Sequence, residues 1–198
     1  MPQLKRRTAR RNQSSIRTAV DVAATVFPSE LGWMGVAFRG DTLLGLVFGH
    51  ATERNSGVAL RRLFGDLDAA VDLLDGRDCP AAIREVIDML EQYAAGEGVD
   101  FRGVAIDENH LTPFGRRVVA ACRRIPAGQT RTYGQLAAVC GSPGAARAVG
   151  HVMATNRYPI VVPCHRVVGA NGSLGGFSAP QGLVMKRRML ALEDATGP

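Results

Sequence analysis

The chain has 198 residues, 46% of them hydrophobic, with a formal net charge of +6 and four cysteines. That length gives one large domain or two small ones with ample core, and no apolar run approaches the length of a membrane span. Cys79, Cys122, Cys140 and Cys164 form no CxxC pair and have no His at finger-like distance, which argues against structural zinc and for free thiols in a reducing compartment.

The charge is segregated. Residues 1–17 carry six Lys/Arg and no acid, residues 18–100 carry six against fourteen (−8), and residues 101–198 carry twelve against four (+8). A basic C-terminal half behind an acidic middle suits a polyanionic partner for the former alone. The basic stretch 1–17 lacks a hydrophobic period and reads as a flexible tail; no apolar signal-peptide core follows it, so a cytoplasmic protein is expected.

From Glu30, the segment LGWMGVAFRGDTLLGLVFG alternates around Gly40-Asp41 and predicts a β-hairpin. Arg54–Phe64 and Ala81–Ala95 read as helices, the second with Ile83, Val86, Ile87, Leu90 and Tyr93 along one face, and Asp66–Leu74 as a further helical piece. His50 is expected at a surface or strand end. The whole stretch 18–105 reads as an α/β scaffold domain with no catalytic constellation.

Residues 106–198 read as a second, mainly α domain. Thr112-Pro113 supplies an N-cap and a first-position proline for a helix carrying Phe114, Val118, Cys122 and Ile125. Thr132 then caps Tyr133–Cys140, Gly141 ends that helix, and Ser142-Pro143 restarts the chain as another through about Thr155. Cys122 and Cys140 fall on apolar helix faces as packing residues. Two helices joined through a glycine turn form a helix-turn-helix unit. Its second helix, GAARAVGHVMA, is almost all small residues around Arg147. So few polar base-readers suit shape-driven binding in the minor groove with little sequence preference, although on this segment alone a tightly packed core helix with one exposed Arg is the favoured reading.

Next comes Tyr158-Pro159-Ile160-Val161-Val162-Pro163-Cys164-His165-Arg166-Val167. The Val/Ile run between prolines reads as buried strand or extended chain holding the Cys164 thiol beside His165. An isolated Cys-His pair is more often packing than chemistry, although a neighbouring imidazole can draw a thiol toward thiolate. The stretch Gly169–Ser178 is a glycine-rich loop able to wrap a flat ligand, and it lacks the Lys-Ser/Thr of a phosphate loop. A final helix opens at Ser178 or Ala179 with Pro180. Leu183 and Leu190 share its inner face, Glu193 lies semi-buried on the flank, and Lys186-Arg187-Arg188 are solvated or near phosphate.

Taken together, Arg147-Ala148-Val149-Gly150, Asn156, Pro163-Cys164-His165-Arg166-Val167, Gly175-Gly176-Phe177-Ser178 and Glu193 resemble the O6-alkylguanine-DNA alkyltransferase family over roughly residues 110–194. The resemblance implies an α/β N-terminal domain and a mainly α C-terminal domain with a helix-turn-helix, winged-helix-like DNA-binding unit. It implies direct-reversal repair: an irreversible, single-turnover transfer of the alkyl group from O6-alkylguanine in DNA, with O4-alkylthymine left open as a second substrate, after base flipping, to the thiolate of Cys164. His165 would take the thiol proton through a water, Glu193 would orient His165, and Asn156 would be a hinge. Arg147 would fill the gap in the base stack, Tyr133 would drive rotation at the 3′ phosphate, and Ala146, Ala148 and Gly150 would complete the DNA contact. Tyr133, Met153, the Val167 carbonyl, Phe177 and the Ser178 N–H would line the base pocket.

The implied partner is double-stranded DNA, bound with salt-sensitive affinity by a protein that is monomeric in solution, with cooperative assembly on DNA left open. No cofactor, metal or membrane partner is implied. Phe177 stands where many relatives have Tyr, and extra residues at Ala179-Pro180-Gln181 bear on the pocket rim. A non-catalytic lesion-binding module is the alternative, opposed by the intact Cys164 where such proteins carry Trp. A Cys-His hydrolase is a third reading, opposed by the absence of a helix N-terminus signalled at the thiol.

Overall fold

A computed structural model describes residues 22–64 and 71–194. The basic tail and Asp66–Ala70 lie outside the described residues. The N-terminal half is a four-stranded sheet in the order β3-β2-β1-β4, made of β1 (Val22–Phe27), β2 (Trp33–Arg39), β3 (Thr42–His50) and β4 (Val71–Leu73). The hairpin β2–β3 forms as expected around Gly40-Asp41, and β1 extends it antiparallel with Thr25 opposite Val36. Val71–Leu73, expected in a helix, is instead a strand parallel to β1. Its three residues satisfy the free edge of β1, a tertiary pairing that outweighs local propensity.

Helix α1 (Glu53–Leu63) is capped by Thr52, whose side chain accepts the Asn55 N–H at 3.2 Å. It lies so close to the sheet that a Cβ at Gly35 would meet Leu60 Cδ1 at 2.6 Å. Leu60 thereby packs with Ala24, Ala37, Leu44 and Val47 on one sheet face. Alternation, with a register shift in β3 between Leu43 and Gly45, sends Val36, Phe38, Leu43, Leu46 and Phe48 to the other face, where they join α2 (Ala81–Ala94) through Ile83, Ile87, Leu90 and Tyr93. The outer edge of β3 is covered by later chain: Leu43 exchanges bonds with Ala105 and Asp107, and Leu46 N–H donates to the Arg157 carbonyl at 2.8 Å. The core on this face continues without a break into Val118, Val149, Val162 and Met189 of the C-terminal half.

That half begins with α3 (Pro113–Cys122), capped by Thr112 with proline at its start. A two-stranded parallel pair, β5 (Arg131–Thr132) and β6 (Val167–Val168), frames α4 (Tyr133–Val139). Thr132 and Gln135 close a capping box on α4, and Gly141 takes a φ of 74° just beyond it. Helix α5 spans Ala146–Ala154, not the earlier start at Ser142-Pro143, because a turn with the Ala145 N–H bonded to the Ser142 carbonyl comes first. Likewise α6 begins at Leu183, after a turn through Ala179–Gly182. Its inner face is Met185, Lys186, Met189 and Glu193, while Leu183 is exposed and Leu190 only half-buried. No helix among the described residues is long and apolar enough to cross a membrane.

Candidate active site

Cys164 opens a short 3-10 turn, Cys164–Arg166, at the end of a compact chain of turns rather than a strand. Pro159 and Pro163 lack the N–H groups that a strand ladder needs. Asn156 takes over that role: its Oδ1 accepts the Tyr158 N–H and its Nδ2 donates to the Val162 carbonyl, both at 2.9 Å. Val162 N–H returns to Tyr158 and Cys164 N–H to Val162, each at 2.7 Å. Closing so tight a path forces Ile160 to a φ of 72°, a conformation costing a β-branched residue about 1–3 kcal/mol. The burial of Tyr158, Ile160, Val161 and Val162 offsets it.

The site is dry. Cys164 is 6% exposed, His165 0% and Glu193 2%. Burial pushes the Cys164 thiol up, while the Asn156 amide, the Lys186 ammonium and nearby backbone N–H groups pull it back. The resting group is therefore a thiol, and the thiolate must be formed by proton transfer. Burial also pushes His165 down, against the pull of Glu193, so the imidazole is neutral at pH 7. His165 Nε2 lies 2.7 Å from Glu193 Oε1; an ionised carboxylate only accepts, so Nε2 carries the proton and Nδ1 is the basic nitrogen. Nδ1 is buried with no side-chain or backbone partner among the described residues.

Glu193 is more deeply embedded than the semi-buried flank expected from sequence. Arg166 forks onto it through Nε (2.9 Å to Oε2) and Nη2 (2.8 Å to Oε1), and itself donates to the Ile125 carbonyl. Burial alone would raise Glu193, but hydrogen bonds from His165 and Arg166 outweigh it and hold the carboxyl at about 2. A third donor, the Tyr93 hydroxyl of α2, reaches Oε1 at 2.9 Å. Arg166, Tyr93 and Lys186 also belong to this cluster, and no local pattern in the sequence marks them for it. Lys186, read as solvated or near phosphate, is fully buried, with Nζ bonded to the carbonyls of Val167 (2.7 Å) and Leu174. The leucines of α6 do not mark its inner face; Met185 and Met189 do.

Beside Cys164 is a cavity of about 230 Å³, lined by Tyr133, Gly150, Met153, Ala154, Gly176, Phe177 and Ser178. Three of the five residues expected in a base pocket besides the thiol line it through α5 and the glycine loop, and Tyr133 through α4; Val167 does not line it, its carbonyl being engaged by Lys186. Gly175, at φ 64°, brings the loop so close that a Cβ there would stand 3.0 Å from the Tyr133 hydroxyl. Helix α5 joins this cavity to the outer surface: Val149 and Met153 are anchored in the core, Arg147 and Ala148 face solvent, and Ala146 is half-buried. Ala179 and Pro180 line a neighbouring groove of about 440 Å³ between the two halves, together with Phe48, Leu63 and Pro159.

A buried thiol with a His–carboxylate pair, opening on a cavity beside a helix-turn-helix, defines a thiol-dependent enzyme built onto a nucleic-acid-binding frame. The family model for the 6-O-methylguanine DNA methyltransferase DNA-binding domain matches residues 113–195. A methylated-DNA–protein-cysteine methyltransferase of Mycobacterium bovis is 44% identical over 119 residues, 60% of this chain and 70% of the relative. Among solved structures, OGT of Mycobacterium tuberculosis in complex with DNA matches with a TM-score of 0.70 and 34% identity, over 89% of this chain and 96% of that one. The O6-methylguanine-DNA methyltransferase of Pyrococcus kodakaraensis matches with a TM-score of 0.67 and 26% identity, over 86% and 98%. The chain belongs to the methylated-DNA–protein-cysteine methyltransferase family.

Proposed function

We infer that the protein repairs DNA by direct reversal, moving the alkyl group of an O6-alkylguanine to Cys164 irreversibly and once per molecule. The observation that carries this reading is the Cys164–His165–Glu193 cluster at the wall of the cavity next to α5. DNA is the macromolecular partner. The target base rotates out of the duplex into the cavity, since its alkyl carbon is inaccessible in the stack. Arg147 and Ala148, on the exposed face of α5, enter the minor groove, with Arg147 occupying the vacated space; Tyr133 assists rotation at the flanking phosphate.

The thiol proton passes to His165 Nδ1, through a water or directly, and Glu193 holds the resulting imidazolium. Thiolate sulfur attacks the alkyl carbon in line with the C–O6 bond. An S–C bond forms, the C–O6 pair returns to the purine, and the proton taken up by His165 is passed on through solvent to N1, which restores neutral His165 and completes ordinary guanine. The thioether has no group in the site able to hydrolyse it, which limits each molecule to one event. Binding as a monomer, with little sequence preference, and action in the cytoplasm belong to the same proposal. So do the three segments assigned from sequence: a basic tail, a scaffold domain to residue 105 and a transfer domain beyond it.

The test is intact mass after incubation with a duplex carrying one O6-methylguanine. A stoichiometric gain of roughly 14 Da on Cys164, absent in Cys164→Ser, is expected when CH₃ replaces H. Lesion binding without mass gain would make the protein a recognition module instead.

A further inference from the structure

Tyr93 belongs to α2, in the half of the chain where the sequence offered no catalytic constellation, and its side chain ends inside the active site. The hydroxyl donates to Glu193 Oε1 at 2.9 Å and its oxygen lies 3.4 Å from His165 Nε2. The residue is 4% exposed. Its ring stacks edge-on against Phe101 at 5.9 Å and tilts against the His165 imidazole at 6.4 Å. Burial, reinforced by the Glu193 charge, pushes the phenol far up, so it is a hydrogen-bond donor at every working pH. A packing tyrosine would need its hydroxyl satisfied anywhere. This one is satisfied on the atom that also receives the imidazole proton bond.

We propose that Tyr93 is a positioning residue for alkyl transfer, holding Glu193 Oε1 so that the carboxylate fixes His165 with Nε2 protonated and Nδ1 free to act as base. The inference rests on the alkyl-transfer reading above. Arg166 grips Glu193 through both carboxylate oxygens, leaving open how Oε1 meets the imidazole; the Tyr93 bond closes that choice from the opposite half of the molecule. It also takes a share of the carboxylate charge and so moderates the basicity that Glu193 confers on His165. Among the described residues, the other titratable or charged groups facing this cluster are Arg166 and Cys164 of the Cys164–Arg166 turn, Lys186 of α6 and Cys122 of α3, and all are untouched by a change at residue 93. In chemical terms, the thiol proton moves to Nδ1 while the Nε2–H bond to Glu193 shortens; Tyr93 neither gains nor loses a proton.

The experiment is single-turnover transfer from an O6-methylguanine duplex as a function of pH, for wild type and Tyr93→Phe. Loss of the hydroxyl should slow transfer about tenfold, the scale of one hydrogen bond to a charged group, with the dissociation constant for the lesion duplex within about twofold of wild type. Glu193, relieved of one donor, pulls harder on the imidazole, so the acid limb of the rate profile should move to higher pH. Site-specific 3-fluorotyrosine at position 93, a stronger donor of the same shape, should move the limb the other way; it also decides the matter if Tyr93→Phe fails to fold. Phe101→Leu loosens the same packing without touching the hydroxyl and should lower stability while leaving the limb in place. A profile for Tyr93→Phe or the fluorotyrosine protein superimposable on wild type, or an equal displacement by Phe101→Leu, would overturn the proposal. Failure of the wild type itself to transfer would overturn the alkyl-transfer reading and this inference with it.

Discussion

In the proposed mechanism Cys164, the nucleophile, is stored as a thiol. Burial keeps it protonated and keeps His165 neutral, so both charges appear together only when the proton moves between them. Glu193 is the permanent charge of the cluster, and Arg166 is its counterion. Folding holds Glu193 at about 2, below its unfolded value, so its contribution to stability is complete above an ordinary carboxylate value and is lost as pH falls from there toward 2. That contribution is about 3 kcal/mol. His165 acts in a higher window: the unfolded imidazole takes up a proton near its ordinary value while the folded one resists, so acid begins to destabilise the fold there first. Urea midpoints measured against pH should therefore fall in two stages. Glu193→Gln should be less stable by about 3 kcal/mol at neutral pH, and the difference should close in acid. A constant difference across that range would contradict the assignment. In the sequence, Cys164 and His165 were legible because they are adjacent and sit in a motif. Arg166 was equally adjacent, but nothing local indicated that its guanidinium turns inward to Glu193.

The glycine loop and the helices that flank it set the cavity. Gly172 and Gly175 both take positive φ, but only Gly175 lies against Tyr133; a Cβ on Gly172 would meet nothing within 4 Å. Alanine at either position should cost about 1–2 kcal/mol of backbone strain. Only Gly175→Ala should also slow transfer, by about tenfold, because its methyl displaces the Tyr133 hydroxyl from the cavity wall. The pair separates strain from shape: equal transfer rates in the two variants, read in the mass assay, would show that the Tyr133 contact is immaterial. Elements bounded by caps were readable in advance. Thr112-Pro113, Thr132 with Gln135, and Gly141 each satisfy a helix end with residues a few positions away, so α3 and α4 appeared where expected. The final helix was harder because its inner face mixes Met185 and Met189 with a buried lysine and glutamate. No hydrophobic period announces such a face.

Across the whole molecule, one core joins the two halves. Phe38 and Leu46 of the sheet, Leu90 of α2, and Val162 and Met189 of the C-terminal half belong to the same buried cluster. The edge of β3 is stitched to residues 105–107 and 157, and Tyr158 donates its hydroxyl to the Asp107 carbonyl. Unfolding should accordingly be cooperative. Trp33 of β2, the single tryptophan, reports on the sheet by fluorescence, and helical circular dichroism is weighted toward the rest. The two urea transitions should coincide; separated midpoints would mean that the halves fold independently.

Sequence by itself pointed to the family of this protein and to the site proposed for it: the thiol and its imidazole, the helix-turn-helix with its small-residue second helix and Arg147, and the glycine loop, in that family's order. Each is carried by residues close together in the chain, where spacing, capping and turn chemistry act locally. Only the tertiary structure decided that Val71–Leu73 is a strand, that Pro159–Pro163 coils into turns, and that Lys186 and Arg166 are buried. It alone brought Tyr93 to Glu193, 100 residues away. These outcomes depend on which neighbours can supply hydrogen bonds and counter-charge in a water-free core, and those neighbours come from distant parts of the chain.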